Sequence, residues 1–283
     1  MTLDPDSDRD SGADVRSIDL NADLAEGFGR WSFGTDEGLL RVVSSANVAC
    51  GMHAGDPSVI RRAVVTAREH GVTIGAHVGY PDLQGFGRRH MDVPSGELSD
   101  LVLYQLAALA GIARTEGTRV AYVKPHGALF NRVVEDEEQA AAVARAVADF
   151  DPTLPILSLA GSAVHRAARA LGVPTVNEAF ADRAYLPDGR LAPRSLPGSV
   201  FHDPDVMTGR VLDLVLRGRL RAIDGTEIDV EVDSICLHGD SDVAVRTAAH
   251  IRDALVEAGV VLRAAVLPAA AVRPDPALVE TTA

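Results

Sequence analysis

Lysine, histidine, aspartate and glutamate recur in this chain at the ends of short apolar runs. KPHGALF, from Lys124, closes the run TRVAYV with a cation, a proline, an imidazole and a glycine. DLNADLAEG at Asp19, ACGMHAGD at Ala49, GAHVGYPD at Gly75, NEAFADR at Asn177 and CLHGD at Cys236 repeat the arrangement. Such side chains bind anions, move protons or hold a divalent metal. Asp19, Asn21 and Asp23 alternate along one run and so share a face, where buried carboxylates need a cation, a proton or a ligand. Glu26 follows just beyond. His53 and His77 stand where strand-like runs give way to loops. Lys124 and His126 are two apart, with Pro125 stiffening the backbone between them and Gly127 allowing close approach. Glu178, Asp182 and Arg183 come from one cluster, His238 and Asp240 from another.

Blander roles compete at several positions. Asp56 before Pro57 reads as a helix cap, and Asp240 or Ser241 can cap the helix after CLHGD. His70, His165 and His250 fall in or at the end of helical patterns, where packing or surface roles suffice. Cys50 reads as a small buried hydrophobe. Lys124, ending a buried strand, must pair with a carboxylate such as Asp19 or Glu178, hold an anionic ligand, or do both. Replacement of Lys124 by Met is expected to abolish activity and spare the fold. Asp23, His53, His77 and His126 could also meet as ligands of a divalent metal.

Groups at so many strand ends require an architecture that gathers strand ends. Strand candidates start at Ser17, Ala46, Val72, Arg119, Pro155, Pro174 and Asp233, and helical patterns separate most of them. Val59 to His70 keeps Ile60, Ala63, Val64 and Ala67 on one stripe before Gly71. Leu98 to Glu116, Glu135 to Phe150, Ser162 to Leu171, Val206 to Leu216 and Asp242 to Ala258 behave alike. This alternation predicts a parallel sheet with right-handed crossovers. A single β/α barrel of about seven parallel strands is expected, with VVLRAAV from Val260 as a candidate eighth; an open doubly wound sheet is the alternative. Residues 182–203 interrupt the pattern with three prolines and read as a binding loop, whose Arg183, Arg190 and Arg194 could clamp a carboxylate or phosphate.

Residues 1–15 are expected to form a disordered leader, 16–267 the barrel, and 268–283 a loosely ordered tail. A net charge of −13 argues against nucleic acid or an anionic membrane as partner. Only two cysteines, Cys50 and Cys236, and no secretory or membrane-spanning pattern suit a cytoplasmic setting. Neither GxxxxGK[ST] nor a GxGxxG turn between strand and helix is present, so a nucleotide would have to be held otherwise.

Read in order, IDLNADLAEGFG, SSANVACGMHAGD, IGAHVGYPDLQGFGRR, YVKPHGALFN, EAFADRAYLPDGRLAPR and CLHGD resemble the LamB/YcsF family, from about Ile18 to Val261. Members commonly carry glycine where Ala25 and Ala184 stand and proline where Val78 stands, differences that touch loop shape more than chemistry. The resemblance implies a seven-stranded barrel similar in shape to polysaccharide deacetylases. It also implies the A subunit of a 5-oxoprolinase, which opens 5-oxo-L-proline to L-glutamate with hydrolysis of ATP, accompanied by Mg²⁺, and works with separate B and C subunits. On that reading Asp23, His53, Lys124, His126, Glu178 and His238 are the candidate catalytic residues. Asp19, Asn21, Glu26, His77, Asp182, Arg183, Arg194 and Asp240 are the candidates for binding substrate or phosphate. A metal-dependent amide hydrolase without ATP and a non-catalytic 5-oxoproline-binding or scaffolding subunit are the competing expectations.

Overall fold

The apolar runs become the staves of a closed barrel in the computed structural model of the chain, which describes residues 16–32, 35–237 and 242–267. The leader, the tail, His238 and Asp240 lie outside the described residues. In chain order the elements are β1 (Ser17–Leu24), α1 (Asp36–Leu40), β2 (Ser45–Ala49), α2 (Pro57–Glu69), β3 (Thr73–Val78), α3 (Ser95–Thr115), β4 (Val120–Pro125), α4 (Gly127–Glu135) and α5 (Glu137–Phe150). They continue with β5 (Ile156–Ser158), α6 (Ala163–Ala170), β6 (Thr175–Phe180), α7 (Pro204–Arg217), β7 (Arg219–Arg221), β8 (Glu227–Asp229), β9 (Ser234–Leu237), α8 (Asp242–Glu257) and β10 (Val261–Leu262).

Strands β1 to β6 pair in sequence, all parallel, and β9 closes the ring by pairing with both β6 and β1. Seven strands therefore form the barrel. VVLRAAV does not supply an eighth: β10 pairs only with Ser17 and Ile18, beyond the stretch of β1 that β9 occupies. Every residue of β2, β3 and β4 is buried, as strands covered inside by the barrel and outside by helices must be.

Three elements lie outside the sequence-based expectation. Helix α4 starts immediately after His126, and α1 is only one turn. The β7–β8 hairpin, antiparallel and set between α7 and β9, turns at Asp224–Gly225, a strong turn dipeptide, with Gly225 at φ +93°. Residues 182–203 remain irregular, tied down by isolated pairings of Arg183 with Val200 and Tyr185 with Leu191.

Helix α2 shows how a loop carrying a candidate residue is anchored. It buries Ile60, Ala63, Val64 and Ala67, as the apolar stripe requires, and Asp56 caps it by accepting from the amides of Ser58 and Val59. The second Asp56 oxygen accepts from the Gly29 amide at 2.8 Å, tying the loop after β1 to the same cap. These bonds hold the Asp56 carboxyl below its ordinary range. Its stabilisation is thus present above the unfolded pKa and fades as pH falls through the folded value. Asp56→Ala is expected to lower stability at pH 7 by about 1 kcal/mol, with a smaller loss at pH 3. Equal losses at both pH values in chemical denaturation would show that the charge is irrelevant.

Candidate functional site

Inside the barrel the side chains are polar, layered along β1. At the amino end, Asp19 accepts hydroxyl bonds from Ser44 at 2.5 Å, Ser45 at 2.8 Å and Ser234 at 2.5 Å. Burial pushes its carboxyl up, against the pull of those hydroxyls. Four residues below Asp23, Asp19 lies about 13 Å away along the strand and does not reach the mouth. Its expected contact with substrate is corrected accordingly: alternation fixes which face a residue shares, not its depth.

One layer up, Asn21 donates to Glu178 at 3.0 Å and to Ser234 at 2.7 Å. Asn47 donates to Asn21 at 2.6 Å and to Asp23 at 2.8 Å, and accepts from the Tyr122 hydroxyl at 2.7 Å. The Tyr122 ring lies over Gly75 of the neighbouring strand, where a Cβ would lie 2.0 Å from it. Asn21 therefore orients its neighbours from beneath the pocket and does not line it.

Lys124 occupies the next layer. Its ammonium lies 2.8 Å from Glu178 and 3.0 Å from Asp23, with Cys236 Sγ at 3.0 Å and the Phe180 ring 5.4 Å away. Burial opposes its charge, but Asp23, Cys236 and Glu178 outweigh burial and hold the pKa well above the ordinary lysine value. Burial pushes Glu178 up despite Lys124. A single ammonium between two carboxylates leaves one negative charge over, and Glu178 is fully enclosed with its Oε2 unbonded. Burial also pushes the Cys236 thiol up.

Asp23, His77, Lys124 and His126 form the floor of a cavity of about 450 Å³ whose walls include Phe130, Phe180, Arg88, Arg183, Arg190 and Arg194. Arg183 is buried, donates to the Ala192 carbonyl at 2.6 Å, and has an unbonded Nε. Burial, then the nearby Arg194, pull its pKa down, with Arg88 adding to the pull. Three guanidinium groups that repel one another around a pocket form a seat for an anion. Glu178 and His53 stand behind Lys124 and His126 and are not part of the cavity wall. Asp182 lies in a side cleft with Arg88 and Arg194.

A histidine cluster flanks the floor. His77 Nδ1 meets the Lys124 carbonyl at 3.1 Å, and His126 Nε2 meets the Phe86 carbonyl at 2.8 Å. His77 Nε2 and His126 Nδ1 face each other at 2.9 Å, with Asp23 Oδ2 3.2 Å from the former and Glu26 Oε1 3.8 Å from the latter. His53 stacks on His126 with ring centroids 3.7 Å apart. A Cβ on Gly79 would lie 2.6 Å from the His53 ring, and one on Gly87 would lie 2.7 Å from both His53 and His126. Only glycine leaves room for the stack. Ala25 adopts φ +60° directly before Glu26, a left-handed conformation that favours glycine.

Asp23, Lys124, His126, His77, Arg183 and Arg194 thus meet at one mouth, Glu178 and Asn21 support it from below, and His53 and Glu26 adjoin it. Arg88, Asn47, Tyr122 and Cys236 join them, residues that lie within the quoted motifs but were not named as site candidates. Asn47, a polar residue in the middle of an apolar strand, carried a usable signal; Arg88, on a loop, carried none beyond its charge.

The LamB/YcsF family model matches residues 18–269. The 5-oxoprolinase A subunit of Mycobacterium leprae (strain TN) is 55% identical over 247 residues, covering 87% of this chain and 98% of that protein. The protein of the same name from Streptomyces coelicolor is 56% identical over 243 residues, covering 86% and 97%. Among solved structures, a lactam utilization protein from Thermus thermophilus superposes with a TM-score of 0.84 at 46% identity, over 88% of this chain and 99% of that one. A putative cellobiose-phosphate cleavage protein from Enterococcus faecalis V583, at TM-score 0.55 and 14% identity over 88% and 97%, shares the fold alone.

Proposed function

The chain belongs to the LamB/YcsF family, and from that premise we propose that it is the A subunit of an ATP-dependent 5-oxoprolinase and carries the pocket in which 5-oxo-L-proline is opened to L-glutamate. The observation that supports this best is the buried Lys124 ammonium, held between Asp23 and Glu178 beneath a rim of Arg88, Arg183 and Arg194. The substrate is a small anion with an unreactive amide. The rim seats its carboxylate, and Lys124 faces the oxygen on which charge develops.

An unstrained lactam resists water until its oxygen becomes a leaving group. In the proposed sequence the lactam oxygen attacks the γ-phosphorus of ATP and ADP departs. Water then adds to the ring carbon, giving up its proton to Asp23. The carbon–nitrogen bond breaks as the nitrogen takes up a proton, and a second water hydrolyses the resulting acyl phosphate to L-glutamate and phosphate. Glu178 acts through Lys124, setting its position and charge. ATP, with Mg²⁺, is brought to the rim arginines in the complex with the B and C subunits.

The test measures glutamate and ADP formed from 5-oxoproline and ATP by this chain alone and with B and C subunits. Turnover is expected only in the mixture. Arg183→Ala is expected to raise KM for 5-oxoproline by roughly 10- to 100-fold, the worth of a charge-assisted hydrogen bond pair. Glutamate formed without ATP would replace this reading with a plain amide hydrolase, and an unchanged KM would remove Arg183 from the substrate's seat.

A further inference from the structure

We infer that Glu26, His53, His77 and His126 form a binding site for one first-row divalent transition metal ion, of the zinc class. Their ligand atoms all lie within 4.8 Å of one another. A tetrahedral site with bonds of about 2.1 Å sets its ligands roughly 3.4 Å apart, so adjustments of about 1 Å or less bring these atoms to that geometry. Three imidazoles and a carboxylate suit zinc, cobalt or iron better than magnesium or calcium, which favour oxygen.

Proton positions on the rings point the same way. A backbone carbonyl can only accept, so the Lys124 carbonyl fixes the proton of His77 on Nδ1 and the Phe86 carbonyl fixes that of His126 on Nε2. The nitrogens left over, His77 Nε2 and His126 Nδ1, turn lone pairs toward each other at 2.9 Å, with the oxygens of Asp23 and Glu26 beside them. Two imidazole lone pairs facing each other at that distance repel unless a cation joins them. Outer carbonyls that orient two imidazoles inward are the usual second layer of a metal centre. Phe86 presents its carbonyl from a left-handed backbone at φ +56°, a strain that needs a reason.

His53 is the independent observation. It is fully buried, and neither ring nitrogen has a hydrogen-bond partner. Leaving such buried nitrogens unbonded is costly, and a metal ion would engage one of them directly. Glu26 completes the set where Asp23 was expected, because Asp23 Oδ1 already accepts from Lys124 and Asn47.

Metal binding here does not depend on the oxoprolinase reading and is tested without substrate or ATP. The full chain, stripped with chelator, is titrated with zinc chloride by calorimetry and with cobalt(II) chloride by visible absorption. One ion per chain is expected, with the intense d–d bands of tetrahedral cobalt. Glu26→Gln and His53→Ala should each weaken binding by roughly 100-fold or more, while His165→Ala, in a buried histidine outside the cluster, leaves it unchanged. Circular dichroism identifies a variant that has lost its fold, and Glu26→Gln, beside the rim, keeps the test decisive if His53→Ala does not fold. Wild-type protein that binds less than one equivalent, octahedral cobalt spectra, or binding indifferent to both substitutions would overturn the site.

Discussion

Lys124→Met is expected to reduce turnover of the assembled complex by roughly 10²- to 10³-fold, the effect of removing one aimed charge from a reacting oxygen. It is also expected to destabilise the subunit by about 3–5 kcal/mol, because two buried carboxylates would lose their cation. This corrects the expectation that the fold would be spared: that expectation treated Lys124 as a functional cation alone, whereas its ammonium holds Asp23 at 3.0 Å and Glu178 at 2.8 Å. The two effects separate in the double variant Lys124→Met/Glu178→Gln. Removing the stranded charge should recover much of the stability in chemical denaturation, and none of the turnover. A complex with Lys124→Met that makes glutamate at the normal rate would exclude Lys124 from the chemistry. A double variant no more stable than the single one would mean that Glu178 does not carry the unbalanced charge.

The second large effect is expected at Gly75→Ala. A methyl group there would lie 2.0 to 2.4 Å from three atoms of the Tyr122 ring, and the ring is enclosed on every side. Overpacking of this kind costs about 1–3 kcal/mol, and turning the ring aside also breaks the hydroxyl bond to Asn47 at 2.7 Å, worth about 1 kcal/mol more. The expected loss is therefore about 3 kcal/mol, read from the denaturant midpoint. Asn47 braces both Asn21 and Asp23, so activity should fall as well. Tyr122→Leu in the same chain should restore part of the stability by making room. A Gly75→Ala protein within about 0.5 kcal/mol of the original, the range of harmless surface changes, would show that the barrel interior yields to the added methyl.

The strands were legible because each is a short apolar run set between helical patterns, as strands buried on both faces are. Convergence of Asp23, His77, Lys124 and Arg183 was legible for the same reason: parallel strands with helical crossovers put their carboxyl ends together. Depth was not. Asp19 and Asp23 obey the same alternation, yet only Asp23 reaches the mouth. Closure was not legible either, since the competition between β9 and β10 for the side of β1 is settled by register, and both runs are short and apolar. Helix α4 was missed because it follows a functional cluster without a side-chain cap at His126. The burial of His53 behind His126 depends on what Gly79 and Gly87 lack, and an absent side chain leaves no mark in a pattern of polar and apolar residues.

The two sides of the pocket are built by different means. On one side, crowding against glycine backbone fixes the imidazole planes, and almost any substitution would collide with them. On the other, Arg183, Arg190 and Arg194 come from an irregular insert pinned at a few isolated pairings, a kind of segment that tolerates changes in length and composition. A lineage descending from this chain could therefore alter the acid it recognises through the insert alone and inherit the reacting groups untouched. New substrate ranges should arise there first.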